Sequence, residues 1–208
     1  MQRRGFSLIE LSLVLVILGL VTGGILAGHA MIRSSELRSV VADANRYSTA
    51  MFAFREKYLA LAGDMPNATT FWGFASTTVS PDCTTSSSAG VTVPGTCDGD
   101  GDGIIGYGGG GSATGEAFQA WKQLGLAGMV EGSFSGNAGP AGASDYLINA
   151  NKNAPGGRIS STGWMLSYIK NDGATTVSSH LFNYDYLNWI GTGKGSGTGS
   201  WMDDGFLT

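Results

Sequence analysis

The sequence predicts an α+β chain in which one long N-terminal helix, apolar in its lower half and amphipathic in its upper half, packs against a small antiparallel β-sheet head. Three observations predict it. Residues 6–28 are apolar apart from Ser, Thr, Gly and the single charge of Glu10, and a run of this length suffices for a bilayer crossing, which takes roughly 20 residues. Beyond it Leu37, Val40, Val41, Ala44, Tyr47, Met51, Phe54 and Tyr58 recur every three or four residues, the spacing of one helix face. After residue 59 the chain breaks into short segments between Gly, Asn and Asp turns, a composition of strands and loops.

Taken in order, Met1-Gln2-Arg3-Arg4-Gly5 is a short basic leader, residues 6–58 a stalk whose segment 6–28 is the transmembrane and assembly part, and residues 59–208 a Gly-rich head. Charge follows the same division. Residues 1–58 hold seven basic and four acidic side chains, and residues 59–208 hold five basic and twelve acidic ones. No Pro interrupts residues 6–58, so one helix of about 80 Å is expected at 1.5 Å per residue. An anchor followed by a separate helix would instead break near Gly28–Ser35. Glycine weakens a helix by about 1 kcal/mol relative to Ala, which makes Thr22-Gly23-Gly24 the softest point.

Composition excludes several classes. Charged residues are 13% of the 208 and hydrophobic ones 42%, unlike a disordered polyelectrolyte. A sequence pI near 5.0 lacks the basic surplus of a protein that coats nucleic acid, so no direct nucleic-acid partner is expected. The 34 glycines have no three-residue period, which rules out collagen. Gly106-Tyr107-Gly108-Gly109-Gly110-Gly111 contains GxGxxG, but an Asp/Gly loop precedes it where a dinucleotide site needs a strand. Neither GxxxxGK[ST] nor GxSxG occurs, and His29 and His180 suggest no general base. The chain is expected not to be an enzyme.

The N-terminus admits three readings: a secretory signal peptide with a cleavage site at Gly28-His29-Ala30, a plain anchor, or a segment in which Glu10 has work to do. A carboxylate in an apolar helix costs about 2.5–3.5 kcal/mol on insertion scales, so it usually has a partner. If the chain were cut after Gly5, the amine of Phe6 would lie about one helical turn from Glu10. Alternatively, a neighbouring subunit's amine could neutralise it. A signal peptide or plain anchor has no use for the charge.

Arg3-Arg4-Gly5-Phe6-Ser7-Leu8-Ile9-Glu10-Leu11 resembles the class III signal of type IV pilins and type II secretion pseudopilins. The resemblance covers residues 3–30 closely and the rest by architecture alone. It implies a pilin-like fold, cleavage after Gly5 by a prepilin peptidase, N-methylation of Phe6, and Glu10 as the carboxylate that guides docking. It further implies an inner-membrane precursor held in lipid, an assembly platform in that membrane, and a homo-oligomeric helical filament at the cell surface or a periplasm-spanning pseudopilus. The sequence departs from many type IV pilins in having no Pro in the stalk. A minor tip-located adhesin, binding through residues 75–115 or 191–208, is a further reading. So is a soluble secreted calcium-binding domain beginning near Met31.

In the head, Cys83 and Cys97 are expected to pair in an oxidising compartment. The closed loop of about 15 residues would contribute roughly 3 kcal/mol in the chain-entropy model. Their mid-chain position differs from the C-terminal disulfide loop of many type IV pilins. Asp98-Gly99-Asp100-Gly101-Asp102-Gly103-Ile104-Ile105 places carboxylates at alternate residues, like the first half of an EF-hand loop, whose calcium takes six to eight oxygens. Asp98, Asp100, Asp102, the carbonyl of Ile104 and Glu116 are the candidate ligands of a structural Ca2+. The twelfth loop position is Gly109 rather than Glu, so a complete EF-hand is absent. A solvated Asp/Gly turn is the plain alternative.

The remaining head elements are a short helix over Glu116–Leu124 stopped by Gly125, and Thr69–Trp72 set against the stalk by its aromatics. Strands are expected at Asp145–Asn149, Gly163–Lys170 and Val177–Tyr186, with Asn171-Asp172-Gly173 as a hairpin turn. Residues 191–199 read as a flexible Gly/Ser/Thr/Lys loop.

Overall fold

The computed structural model describes residues 7–74, 95–106, 115–136, 150–159, 162–169 and 186–194. The elements are α1 (Leu8–Tyr58), α2 (Ala68–Trp72), α3 (Glu116–Leu126), β1 (Thr162–Ile169) and β2 (Tyr186–Lys194). Helix α1 is continuous through Gly28–Ser35, as the single-helix expectation has it, and the alternative of an anchor followed by a separate helix does not hold. A Cβ added at Gly19, Gly23, Gly24 or Gly28 would meet nothing within 4 Å beyond the helix's own backbone. Thr22 Oγ1 donates to the carbonyls of Leu18 at 2.9 Å and Gly19 at 3.2 Å, a back-bond that bends helices slightly.

The chain divides into two compact units, Met1–Val41 and Ala42–Thr208. The division falls within α1 rather than at its end, because side chains become buried only from Asp43 onward. In the first unit every residue from Ser7 to Ala27 is exposed. A helix apolar on all faces normally lies inside a protein or a membrane. This one meets the length and composition of a bilayer span.

In the second unit the buried line on α1 is Asp43, Tyr47, Ala50 and Phe54, one helix face by spacing. Leu37 and Val41 of the expected stripe are exposed. Tyr47 meets the rings of Trp121 and Trp164 edge-on, at 5.1 and 5.2 Å between centroids, geometry that aromatic quadrupoles favour. The rings of α2 close the top of the helix, with Trp72 at 5.2 Å and Phe71 at 5.4 Å from Tyr58. Asp43 accepts from Arg158 Nε at 3.0 Å, which ties the 150–159 loop to α1.

Helix α3 is buried from Glu116 through Leu124, and Gly125 does not stop it. The turn that follows closes on Leu124, whose carbonyl accepts from Met129 at 3.0 Å. Strands β1 and β2 pair antiparallel, from Thr162↔Lys194 to Ile169↔Tyr186, with a register shift between Ser167 and Ile169. Residues 191–194 are therefore ladder, not flexible loop: Gly191 and Gly193 face Met165 and Gly163. Backbone pairing supplies what the glycines' missing side chains do not. The expected strand at 145–149, the turn at 171–173 and residues 177–185 lie outside the described residues.

Candidate functional site

Two groups of residues carry chemistry. The first is the start of α1. Glu10 is exposed on its first turn, and its Oε2 accepts the Ser7 backbone N–H at 2.9 Å. Ser7 Oγ in turn accepts the Ile9 N–H at 3.4 Å. Gly5 and Phe6 lie outside the described residues.

The second is a carboxylate cluster in the head. Asp64, Asp100 and Asp102 bring one oxygen each within 4.8 Å of one another. Asp64 is buried at 3% exposure, and its two oxygens accept the N–H groups of Gly101 at 2.7 Å and Gly103 at 2.9 Å. Asp100 accepts from Asp102 N–H at 3.1 Å and Asp102 from Ile104 N–H at 2.7 Å, the local turns that Asp favours. Among the described residues, no hydrogen bond takes the second oxygen of Asp100 or Asp102. Asp64 also borders a cavity of about 670 Å³, with Gly101, Gly103, Ile105 and Asn188, which leaves a small ion a route to it.

The expected ligands are not all brought together. Asp98 turns to α2 instead, accepting Thr69 N–H at 2.7 Å and Thr69 Oγ1 at 2.9 Å, and so satisfies a donor of that helix's first turn. Glu116 stands beside the loop, accepting Gly106 N–H at 2.7 Å and Asp100 N–H at 3.3 Å. Ile104 donates its N–H to Asp102.

Asp64 and Asn188 escaped sequence reading. Asn188 donates to the Gly103 carbonyl at 2.8 Å and accepts the Ile105 N–H at 2.7 Å, clamping the loop onto β2 from 85 residues away. Nothing local announces such a partner. The sequence signal for Asp64 was a lone acid after Gly63 in a turn, which reads equally well as solvent-facing.

Burial sets the electrostatics. The Glu116 carboxyl is pushed up to about 7, mainly by desolvation, against the lowering effect of the Gly106 and Asp100 N–H groups and with added repulsion from Asp64 and Asp100. Asp64 is raised for the same leading reason, opposed by its two N–H donors. Two glutamines of α3 complete the support. Gln123 accepts Gly63 N–H at 2.7 Å and donates to Thr96 Oγ1 at 3.2 Å and the Cys97 carbonyl at 3.3 Å. Gln119 accepts from Thr96 Oγ1 at 3.0 Å. Cys97 is buried and is not a free thiol, and Cys83 lies outside the described residues.

Residues 1–26 match the family model of the prokaryotic N-terminal methylation motif. No curated protein and no solved structure matches the chain. A methylation signal continuous with an exposed apolar helix is consistent with a membrane-anchored precursor processed at its N-terminus. That signal is similar to the one found in type IV pilin and pseudopilin precursors, and it implies processing by a prepilin peptidase. The match covers the leader and the lower stalk, and the head lies outside it.

Proposed function

We propose that the chain is a structural subunit of a type IV pilus-like helical filament, and not an enzyme. Its stalk leaves the membrane to pack against stalks of other copies. The observation that carries this reading is the methylation signal running directly into a helix exposed on every face from Ser7 to Ala27. Such a surface needs lipid or other stalks to cover it, and a bundle of identical helices provides the second. Glu10 then meets the amine of a neighbouring Phe6. The acidic head faces outward. The test compares cells with and without prepilin peptidase. The mature chain should pellet as a sheared or membrane-attached polymer only when the peptidase is present. A peptidase-independent soluble chain would overturn the reading.

The head is braced, in this reading, by a disulfide between Cys97 and Cys83 and by a divalent cation at the 98–106 loop. Asp64, Asp100 and Asp102 would hold Ca2+, an ion that prefers oxygen ligands, and Glu116 would stand behind them. What supports it is the convergence of the three carboxylates and, among the described residues, the second oxygens of Asp100 and Asp102 that no hydrogen bond takes.

The pH dependence follows from Glu116. Its folded pKa, about 7, lies above the ordinary value of 4.5, so the folded head holds that proton more tightly than the unfolded chain. This stability is whole below about pH 4.5 and is lost as pH rises to about 7, with a size of roughly 3 kcal/mol. In metal-free buffer the head's Tm should therefore fall over that interval. Millimolar Ca2+ should raise it by about 4 °C or more at pH 7.5, with little effect at pH 4.5. A Tm indifferent to Ca2+ and to chelator at pH 7.5 would remove the cation from the account.

A further inference from the structure

Two side-chain-to-backbone bonds hold the start of α1. Ser7 stands at the N-cap position, with Leu8 as the first helical residue, and Glu10 occupies the third. The Glu10 carboxylate takes the N–H of Ser7 at 2.9 Å, and the Ser7 hydroxyl takes the N–H of Ile9 at 3.4 Å. Ser-x-x-Glu is the sequence of a capping box, and the Glu10 carboxylate closes on the Ser7 N–H as in that motif. The Ser7 hydroxyl takes the N–H of the second helical residue, Ile9, so each side chain satisfies a backbone donor that the helix itself leaves unpaired. Such donors matter most in lipid, where no water substitutes for them. The same environment makes a bare carboxylate costly. One arrangement answers both needs.

We propose that Ser7 is a positioning residue for Glu10. The box holds the carboxylate against its own helix start while the subunit is stored in the membrane, and docking exchanges the Ser7 N–H for the amine of a neighbouring copy. This rests on the filament reading for its second half. Its first half is a property of the single chain. The charge placed among apolar residues is thus partnered at both stages, and the incoming amine competes with one N–H instead of having to reorient a free side chain.

The test uses the full-length mature chain in lipid bilayers, with 13C and 15N labels. A through-space correlation between the Glu10 carboxyl carbon and the Ser7 amide nitrogen is expected. Exchange of the Ser7 amide hydrogen should quicken about 10-fold in Glu10→Ala and stay within about 3-fold of the parent in Glu10→Gln, because the amide oxygen still accepts and Gln serves in this box as well as Glu. Ser7→Ala should free the Ile9 amide and Ser7→Thr restore it. Equal exchange in all variants would overturn the box. In polymer built from the labelled chain the Ser7–Glu10 correlation should disappear and one to the Phe6 amine should replace it. Its persistence in polymer would overturn the exchange. A chain that never polymerises would sink the filament reading and the exchange with it, while the bilayer measurement would still decide the box.

Discussion

Gly63→Ala is expected to lower the stability of the head by about 3 kcal/mol or more, because it combines steric overlap with backbone strain. Gly63 has φ +94°, and a Cβ there would overlap the carbonyl oxygen of Glu116 and lie 3.0 Å from Ala120 Cβ. The partners are α3 backbone and a residue buried at 0% exposure, so neither yields cheaply. The glycine's own N–H is engaged with Gln123, and the next residue, Asp64, anchors the Asp/Gly loop. Displacing Gly63 therefore disturbs α3 and the carboxylate cluster together. At about 2–4 °C per kcal/mol for a domain of this size, the melting temperature should drop by roughly 6–12 °C. Gly128→Ala is the control. Its φ is +70°, but nothing lies within 4 Å of the added carbon, so only the conformational cost of about 1 kcal/mol applies. Equal melting temperatures for the two variants would show that the contact between Gly63 and α3 is not tight.

Glu10→Ala is expected to reduce incorporation into polymer by about 100-fold or more. Removing one partner of a buried ion pair costs about 3–5 kcal/mol, and each 1.4 kcal/mol is a factor of ten. Glu10→Gln should assemble as poorly, since an amide cannot neutralise an amine. Both variants should stay in the membrane, where losing a carboxylate favours residence. The measurement is the ratio of polymeric to membrane-held chain, with processing at Gly5 monitored in parallel. Polymer at parental levels from Glu10→Ala would remove the pairing mechanism.

The stalk was legible because its determinants are local. Periodicity, the absence of Pro and the position of Glu10 all lie within residues 1–58, and α1 ends at Tyr58. The buried line was less legible, because Leu37 and Val41 share the apolar spacing yet are exposed. In the head, α3 and β1 were readable from aromatic and aliphatic residues between glycines. The C-terminal half of β2 was not, since glycines that form a ladder with a partner strand look the same as glycines in a loop.

The cluster shows the same division. Asp100 and Asp102 stood out by their alternation. The fold brings in Asp64 from 37 residues before Gly101, and it turns Asp98 away to Thr69. Alternation in sequence specified the turn, and tertiary packing chose which carboxylates converge.

The central claim is that this chain is cut after Gly5 and built into a filament through the helix that follows. Intact mass and N-terminal fragmentation of the protein recovered from cells test it most directly. The account predicts a chain beginning at Phe6 with one added methyl group on its amine. A chain beginning near Met31 would mean ordinary secretion, and it would contradict the account together with the role assigned to Glu10.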